Sequence, residues 1–283
     1  MEKMGLVLEG GSFRGIFTAG VLDTLLEQNI SFPYIVGVSA GSGNAANFIS
    51  GQKGRTQKVI THENADPFYG MGELARNGKI LNLDTMVYDY AYEQIPFDFE
   101  HFFASDIKCE FVVANCNTGK AEYINPAADK DEKKFLQYCK ATCSVPMICS
   151  PEVIDSVPYL DGSIIDSIPV KRALSLCEKA VVILTRKEGE HPTDYSRMKS
   201  IVKLMYKDYP HILTAMMHRF EEYAKQMEEV LELEKQGRIF VIRPTMESIG
   251  HFEKDIDRIN AFYQHGIDIM KTKLPALLEF TKE

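Results

Sequence analysis

The stretch GLVLEGGSFRGIFTAGVLDTLL, residues 5–26, places a run of glycines between an apolar segment and a helical pattern. Residues 4–10 predict a buried strand. Residues 16–29 predict a helix whose apolar positions recur at helical spacing, with Asn29 as its C-terminal cap. Because glycines between a strand and a helix leave backbone amides free, such a loop is typical of a site for a negative group. That group is either a nucleotide phosphate or the oxyanion of a reacting ester.

The rest of the chain continues this alternation of strands and helices. A small-residue helix is predicted at 42–50, and two long helices are expected to flank the last strand. The further strands are predicted at 34–38, 108–116, 121–124, 179–186 and 237–244. Strands rich in Val and Ile that alternate with helices predict an α/β fold with a mostly parallel sheet.

The region between Lys53 and Phe103 has no regular apolar pattern. Its Gly, Asn, Asp and aromatic residues predict short helices, which either shape a substrate pocket or form a long connection.

Near the C-terminus, apolar residues at helical spacing predict a helix face that packs on the core rather than on a membrane, because its polar side is rich in Glu. The residues of this face are Ile212, Met216, Phe220, Tyr223, Met227 and Val230.

The composition narrows the class of protein. The net charge of −8 argues against nucleic-acid binding and, more weakly, against permanent docking on an anionic membrane. No signal peptide and no apolar run long enough to span a bilayer is visible. The six cysteines contain no Cys-x-x-Cys pair, so neither a zinc site nor a disulfide framework is expected. These features predict a cytoplasmic protein.

Nucleotide-binding fingerprints fail in detail. The dinucleotide pattern G-x-G-x-x-G requires a glycine where Ser12 stands. The nearest approach to a phosphate-binding loop, GELARNGKI at 72–80, has five residues between its glycines and ends in Ile80 instead of a hydroxyl residue. These mismatches argue against a nucleotide phosphate and favour an oxyanion as the negative group that binds at the glycine-rich loop.

A second motif, GVSAG at 37–41, follows the strand at 34–38 directly. It matches G-x-S-x-G, in which a serine sits on a sharp strand-to-helix turn that only small neighbours permit. The turn would expose the hydroxyl of Ser39 at a helix N-terminus. Ser39 is therefore the candidate nucleophile.

A nucleophilic serine needs a base. A conventional triad would use a late histidine, and His251 and His265 both lie in charged, helix-like sequence that is typical of surface histidines. In contrast, YLDGSIIDSIPV at 159–170 places Asp161 at a predicted strand end, held by a turn. Asp161 is the stronger candidate.

The glycine-rich loop can supply donors for an oxyanion. The amides of Gly11 and Ser12 are the first candidates, followed by those of Gly10 and Phe13. Arg14 either stabilises the loop or adds positive charge. The same loop would also serve as a plain strand–helix turn without a ligand.

Together these segments resemble the patatin-like phospholipases. That family combines a G-G-G-x-R-G loop, here GGSFRG at 10–15, with G-x-S-x-G and a later D-G-[GA], here DGS at 161–163. The segment ATCSVPMICSPEV at 141–153 is also similar to the stretch before the family's aspartate. The resemblance covers about residues 5–187.

The resemblance implies a patatin-like three-layer α/β fold: a mostly parallel central sheet flanked by helices, plus a helical C-terminal extension. It implies a catalytic core at 1–187 and an extension at 188–283 that contains one late strand and packs on the core as one domain.

For the chemistry, the resemblance implies a serine acyl hydrolase with a Ser39–Asp161 dyad and no metal or organic cofactor. Ser12 replaces the third glycine of the loop, where a positive φ would cost about 1 kcal/mol or more. Asp166 is a rival carboxylate, ranked lower because it falls in a variable part of the motif.

The expected substrate is a lipid ester, such as a phospholipid, lysophospholipid or monoacylglycerol, with transient contact to a membrane surface and with neither nucleic acid nor nucleotide as a partner. Three alternatives stay open, and the first two are a non-catalytic protein of the same fold that binds a lipid or a partner, and an acyltransferase. A third is a hydrolase with a triad through His251 or His265.

Overall fold

The computed structural model of the chain describes residues 2–63 and 65–282. Met1, Asn64 and Glu283, which belong to the predicted domain ranges, lie outside the described residues. In chain order the elements are β1 (Glu2–Leu8), α1 (Gly15–Glu27), β2 (Tyr34–Val38), α2 (Ala40–Ile49), α3 (Arg55–Thr61), α4 (Met71–Asn77), α5 (Phe99–Ala104), β3 (Lys108–Asn115), β4 (Lys120–Ile124), α6 (Glu132–Thr142), β5 (Glu152–Ile154), β6 (Val157–Asp161), α7 (Val170–Leu176), β7 (Cys177–Ile183), α8 (Lys199–Met205), α9 (Pro210–Lys235), β8 (Ile239–Ile242) and α10 (Ile256–Phe280). Short 3₁₀ turns at Ser12–Arg14, Gly162–Ile164 and Tyr195–Met198 and a π-helical segment at Thr85–Gln94 complete them.

The strands form one sheet with the order β5-β6-β3-β2-β1-β7-β8, and β4 pairs with β3. The five strands β3, β2, β1, β7 and β8 are parallel, whereas β4, β5 and β6 pair antiparallel at one end. This confirms the predicted α/β fold with a mostly parallel sheet. Strand β4, at the position predicted for 121–124, pairs antiparallel with β3 across the turn between them.

Helices cover both faces of the sheet. Along β1, Leu6 and Leu8 pack in the core that contains α1, α2 and α10, while Val7 points into the core that contains α7 and α9. The parallel strands are therefore apolar on both faces, as the Val- and Ile-rich runs predicted. The result is the expected three-layer arrangement.

The C-terminal end of α1 is determined by local sequence. Asn29 has a φ of 55°, in the left-handed region that terminates helices. The amides of Asn29 and Ile30 donate to the carbonyls of Leu26 and Leu25, which closes the last turn. Asn29 is thus the predicted cap.

The C-terminal segment is built into the same sheet and its layers. Strand β8 pairs with β7, and α9 and α10 pack on opposite faces. Of the predicted apolar face of α9, four residues are buried and Met227 packs against them, whereas Phe220 is 38% exposed with its ring 5.0 Å from that of His191. The prediction was wrong for Phe220, because its position on α9 lies outside the stripe of the helix that is buried. The boundary at 187/188 stays a prediction.

Helices α1 and α10 approach each other at glycines. A Cβ on Gly266 would lie 2.2 Å from the carbonyl oxygen of Phe17, and one on Gly20 would lie 2.2 Å from that of Tyr263. No side chain fits at either distance, so these glycines set the spacing of the two helices. This contact ties the C-terminal segment to the first helix of the chain.

We expect Gly266→Ala to destabilise the protein by about 1–3 kcal/mol, because the added methyl group forces the packed helices apart. Thermal unfolding should show a fall in Tm of several degrees, at about 2–4 °C for each kcal/mol. Gly72→Ala in α4 is the control, since nothing lies within 4 Å of its Cβ position, and it should leave Tm unchanged or raise it slightly. An unaltered Tm for Gly266→Ala would show that α1 and α10 can move apart to accept a methyl group without loss of stability.

Candidate active site

Ser39 lies on the sharp turn between β2 and α2. Its φ of 56° and ψ of −127° fall where residues other than glycine are strained. A Cβ on Gly37 would lie 2.6 Å from the carbonyl carbon of Gly41, so a larger residue cannot enter the turn. The predicted sharp strand-to-helix turn is present, for the steric reason that its sequence suggested.

The register of the sheet brings Asp161 to this turn. Val38, the last residue of β2, pairs with Val112 of β3, and Asp161, the last residue of β6, pairs with the adjacent Val113. Strand β4 occupies the opposite edge of β3 along residues 111–115. Strands β2 and β6 therefore meet end to end on one edge of β3, and their final residues become neighbours.

The two side chains form a direct hydrogen bond. Ser39 Oγ donates to Asp161 Oδ2 at 2.6 Å, and the amide of Ser163 donates to Oδ1 at 2.8 Å. Ser39 is 5% exposed and Asp161 is 3% exposed. The amide of Ser39 in turn donates to Thr142 Oγ1 at 2.9 Å, and Thr142 donates to the carbonyl of Val112 at 2.7 Å. The serine therefore has a proton acceptor in place and a fixed backbone.

Burial controls the charge of Asp161. Desolvation raises the pKa of its carboxyl above the ordinary value, against the opposing effects of the hydrogen bonds from Ser39 and Ser163 and of the Arg219 guanidinium. Arg219 projects from α9, and its Nε donates to the carbonyl of Ser163 at 2.9 Å. A carboxylate with a raised pKa is a stronger base than an exposed one.

The glycine-rich loop lies against the serine. A Cβ on Gly10 would lie 3.2 Å from Ser39 Cβ. Within the part of the chain that the structure describes, the amides of Gly10, Gly11 and Ser12 donate no hydrogen bond, whereas that of Phe13 donates to the carbonyl of His251 at 3.3 Å. Three of the four predicted donors are therefore free to bind an anion. The prediction was wrong for Phe13, because its amide is already engaged.

Arg14 lies behind this loop. Its side chain is 6% exposed, and its Nη2 is 3.4 Å from His251 Nε2, while its Nε has no hydrogen-bond partner among the described residues. Burial, with a smaller contribution from Arg186, lowers the pKa of Arg14 to about 10. Of the two interpretations from sequence, a residue that stabilises the loop fits this position better.

His251 differs from the prediction. It lies in the loop before α10, is partly buried, and its Nδ1 is 3.3 Å from Ser12 Oγ. Because Arg14 can only donate, His251 Nε2 accepts, so the neutral ring carries its proton on Nδ1 and donates to Ser12. Burial and the nearby arginines, Arg14 first, lower the pKa of His251 to about 3. The interpretation as a helical surface histidine was wrong, since tertiary packing folds this loop onto Ser12.

The remaining candidates lie elsewhere. His265 is in α10, as predicted, and its Nε2 accepts from the amide of Thr245 at 3.0 Å. Asp166 accepts from Tyr123 Oη at 2.7 Å and from Gln226 Nε2 at 3.3 Å. In the described residues, Ser39 Oγ has Asp161 as its hydrogen-bond partner and contacts neither histidine in this way.

A cavity opens beside the serine. It contains about 1020 Å³ of empty space, part of it continuous with solvent, and both Ser12 and Ser39 lie on its wall. Most of the wall is apolar and comes from residues 55–97, both from α3 and the π-helical segment and from the stretches between the helices, together with α2 and α6. The larger apolar residues of the wall are Phe13, Phe68, Leu81, Leu83, Val87, Phe97, Phe135 and Leu136. Such a site suits an extended apolar group.

All six cysteines are free thiols, and among residues 2–63 and 65–282 no group of three or more His, Cys, Asp or Glu side chains is arranged to hold a metal ion. None of the described helices is both long enough and apolar enough to cross a bilayer.

Sequence reasoning missed three residues that support the site, Thr142, Arg219 and Glu9, and it assigned a fourth, His251, to the surface. Thr142 anchors the amide of Ser39, Arg219 binds the Asp161 turn, and His251 contacts Ser12. Glu9 is fully buried directly before the glycine loop. A buried acid next to that loop was the one local signal available, because the other three residues are distant in sequence from what they contact.

The fold and the site define a three-layer α/β protein with a buried serine on a strained strand-to-helix turn and an aspartate hydrogen-bonded to it. The family model described as patatin-like phospholipase matches residues 6–174, which is more than half of the chain. The chain therefore belongs to the patatin-like phospholipase family. A second model, described as a domain of unknown function (DUF6363), matches residues 209–282.

Curated relatives agree with this assignment. The uncharacterized protein YjjU of Escherichia coli K12 is 31% identical over 194 residues, which cover 64% of this chain and 51% of that protein. Lysophospholipase NTE1 of Candida albicans is 21% identical, with coverage of 94% of this chain and 19% of the relative. Lysophospholipase nte1 of Aspergillus niger is 30% identical, with coverage of 60% and 11%. This chain thus spans about half of YjjU and a fifth or less of the lysophospholipases.

Among solved structures, VipD from Legionella pneumophila aligns with a TM-score of 0.51 and 13% identity, covering 98% of this chain and 67% of that one. At this identity the likeness concerns the fold alone. It agrees with the three-layer architecture described above.

Proposed function

We propose that this protein is a serine acyl hydrolase that cleaves lipid esters, with Ser39 as nucleophile and Asp161 as general base. The observation that carries the proposal is the 2.6 Å hydrogen bond between two buried side chains beside an apolar cavity. Membership of the patatin-like phospholipase family supports a lipid ester as substrate. The lysophospholipases among the relatives support the same class.

In the first half-reaction, Ser39 Oγ attacks the ester carbonyl carbon while its proton passes to Asp161 Oδ2. The carbonyl oxygen becomes an oxyanion, to which the free amides of Gly10, Gly11 and Ser12 would donate. When the carbon–oxygen bond of the alcohol breaks, the alcohol oxygen takes the proton from Asp161. The acyl group stays on Ser39 as an ester.

In the second half-reaction, water attacks the acyl-enzyme and gives its proton to Asp161. The bond to Ser39 Oγ then breaks, Ser39 recovers the proton, and a fatty acid leaves. The strained backbone of Ser39, held by Thr142, keeps the hydroxyl oriented in both steps.

We further propose that residues 188–283 form an extension that supports the core at 1–187 as part of one domain. Arg219 and His251, both from this extension, contact Ser163 and Ser12 on the two sides of the site. A core expressed without the extension would lose both contacts.

The alternatives make different predictions about the same site. A non-catalytic lipid-binding protein would bind the acyl group but form no covalent serine adduct. An acyltransferase would form the acyl-enzyme and then pass the group to an alcohol. The intact Ser39–Asp161 pair favours a covalent step over binding alone.

A fluorophosphonate probe and p-nitrophenyl esters of short and long chains would test the proposal on wild type and Ser39→Ala. We expect labelling and turnover in wild type and neither in the variant. Lysophospholipid and monoacylglycerol substrates, with products analysed in the presence and absence of acceptor alcohols, separate hydrolysis from transfer. A folded wild type that neither reacts with the probe nor cleaves any ester would refute the hydrolase and favour the binding protein.

We predict that His251→Ala lowers kcat about tenfold or less and leaves KM nearly constant, because His251 orients Ser12 and does not receive the serine proton. A general base would contribute about 10²–10⁴-fold. Steady-state kinetics on a p-nitrophenyl ester distinguish the two. His251→Asn should recover part of the loss, since its amide can also donate to Ser12 Oγ.

His265→Ala is the matched control for the triad alternative, and its activity should equal that of wild type. Because the pKa of His251 is lowered to about 3, His251 stays neutral above pH 5, and the pH profile should show no histidine titration. A loss of about 10²-fold or more in His251→Ala would restore the triad.

A further inference from the structure

A basic and apolar surface stands out on this acidic protein. We call it the α8 patch, and it consists of three exposed apolar residues and three lysines on α8 and the turn that follows it. The apolar members are 55%, 74% and 49% exposed. In chain order the patch contains Lys199, Ile201, Lys203, Leu204, Met205 and Lys207.

The opposite side of α8 is anchored. Val202 is fully buried and Tyr206 is 3% exposed, and both belong to a core that also contains Ile212 and Met216 of α9. The exposed residues of the α8 patch are therefore held outward by a helix that is fixed from behind. They are not the outer turns of a frayed segment.

The patch adjoins the cavity through the loop that follows α6. Tyr206 Oη accepts from the amide of Met147 at 2.7 Å. The same loop carries Val145, which lines the cavity, and Ile148, which is 39% exposed. A surface that binds the α8 patch would consequently lie next to the loop that borders the cavity.

The charge of the patch identifies its partner. The three lysines have no ion-pair partner among the described residues, and Asp208 is the one acidic residue between 199 and 208. The chain as a whole has a net charge of −8, and the polar side of α9 is rich in Glu. Lysines that flank exposed apolar side chains match an anionic surface with an apolar interior, which is the chemistry of a bilayer with acidic headgroups.

We propose that the α8 patch docks the protein on anionic bilayers, with Ile201, Leu204 and Met205 inserted among the headgroups and the lysines on the anionic groups. Docking is linked to the proposed function in one respect: a bilayer would present lipid esters to the cavity. Its test therefore measures binding and catalysis separately.

Co-sedimentation would compare neutral phosphatidylcholine vesicles with vesicles that also contain phosphatidylserine. We expect wild type to bind the anionic vesicles and to be released by high salt. Each lysine near an anionic surface adds about fivefold to the partition coefficient, so the triple variant K199E/K203E/K207E should bind at least about 100-fold more weakly. Leu204→Asp should also weaken binding.

The controls are Leu278→Asp and Lys271→Glu on α10, which lies on the other face of the sheet. Leu278→Asp matches Leu204→Asp, and Lys271→Glu is a single charge reversal of the same kind away from the patch; both positions are exposed, and both variants should bind like wild type. All variants should hydrolyse soluble p-nitrophenyl butyrate at the wild-type rate, because none of the changed residues lines the cavity.

The outcomes separate the two proposals. If wild type does not bind anionic vesicles, or if the patch variants bind them as well as wild type does, the docking proposal is overturned. Neither result bears on the proposed hydrolase function. Dimerisation in sedimentation velocity that Leu204→Asp abolishes would assign the patch to a second copy and overturn docking as well. Specific vesicle binding without cleavage of any ester would refute the hydrolase while supporting docking.

Discussion

Replacing Asp161 by Asn should lower kcat for ester hydrolysis by about 10²–10⁴-fold while KM changes little. Asparagine is nearly the same shape, and its carbonyl oxygen can still accept the hydrogen bond that Ser39 donates at 2.6 Å. It cannot take the proton, so the attack of Ser39 loses its base. Steady-state kinetics on a p-nitrophenyl ester, together with the rate of fluorophosphonate labelling, measure the loss.

Asp166→Asn is the matched control. Asp166 is also a carboxylate whose pKa is raised by burial, but it accepts from Tyr123 instead of Ser39. Its variant should keep at least half of the wild-type activity. If Asp161→Asn were as active as Asp166→Asn, the base would lie elsewhere and the dyad would be wrong.

The pH dependence of activity follows from the direction in which the pKa of Asp161 is shifted. The base form is the carboxylate, so kcat/KM should fall as the pH drops through a pKa that lies above the ordinary value of 3.8. Stability changes in the opposite direction. Because the folded state holds this proton more tightly than the unfolded state, the contribution of Asp161 to stability is present below pH 3.8 and is lost as the pH rises through the folded pKa. At neutral pH, Asp161→Asn should therefore unfold at a Tm no lower than that of wild type, while it is nearly inactive.

Replacing Glu9 by Ala should destabilise the protein by about 3–5 kcal/mol, the usual effect of removing one partner from a buried ion pair. The Glu9 carboxylate is fully buried, forms an ion pair with Arg186, and accepts from Tyr223 Oη at 2.8 Å and from the amide of Thr185 at 2.6 Å. Without it, the guanidinium of Arg186, which is 5% exposed, keeps the ring of Tyr223 but loses its counter-charge. Thermal unfolding should show a fall in Tm of roughly 10 °C.

Glu27→Ala is the control for this effect. Glu27 also pairs with a cation, Lys53, but both side chains are largely exposed, and exposed pairs contribute little. Its Tm should equal that of wild type. Glu9→Gln should lie between the two, since the amide keeps some of the hydrogen bonds but not the charge. Equal Tm values for Glu9→Ala and Glu27→Ala would show that the buried network contributes no more than a surface pair.

Glu9 also connects stability to the site, because it directly precedes Gly10. Its carboxylate and the carbonyl of Gly10 both accept from the hydroxyl of Thr185. We therefore expect whatever folded Glu9→Ala protein is present to show a lower kcat as well, since the loop amides would no longer be held against Ser39.

Local sequence was sufficient wherever neighbouring residues alone settle the conformation. The apolar runs predicted the parallel strands, and Asn29 predicted the end of α1. The spacing of Gly37 and Gly41 around Ser39 predicted a strained turn, because that turn excludes any side chain at those two positions. Phe220 shows the limit of periodicity, since the pattern continues past the stripe that the sheet covers.

The residues that support the candidate site could not be predicted from local sequence. Thr142, Arg219 and His251 each contact a residue more than fifty positions away. Nothing in the surroundings of His251 along the chain distinguishes it from a surface histidine. Its position beside Ser12 arises because α10 packs against α1 and so fixes the loop that precedes it.

By itself the sequence determined the parallel strands, the sharp turn at Ser39 and a carboxylate at the end of a later strand, because each depends on residues within a few positions. Only the tertiary structure decided that Ser39 and Asp161 meet. Strands β2 and β6 end on adjacent residues of β3, Val112 and Val113, and that register is set by the pairing of three distant segments. The same long-range packing buries the pair, which raises the pKa of Asp161 and leaves three loop amides free beside the serine.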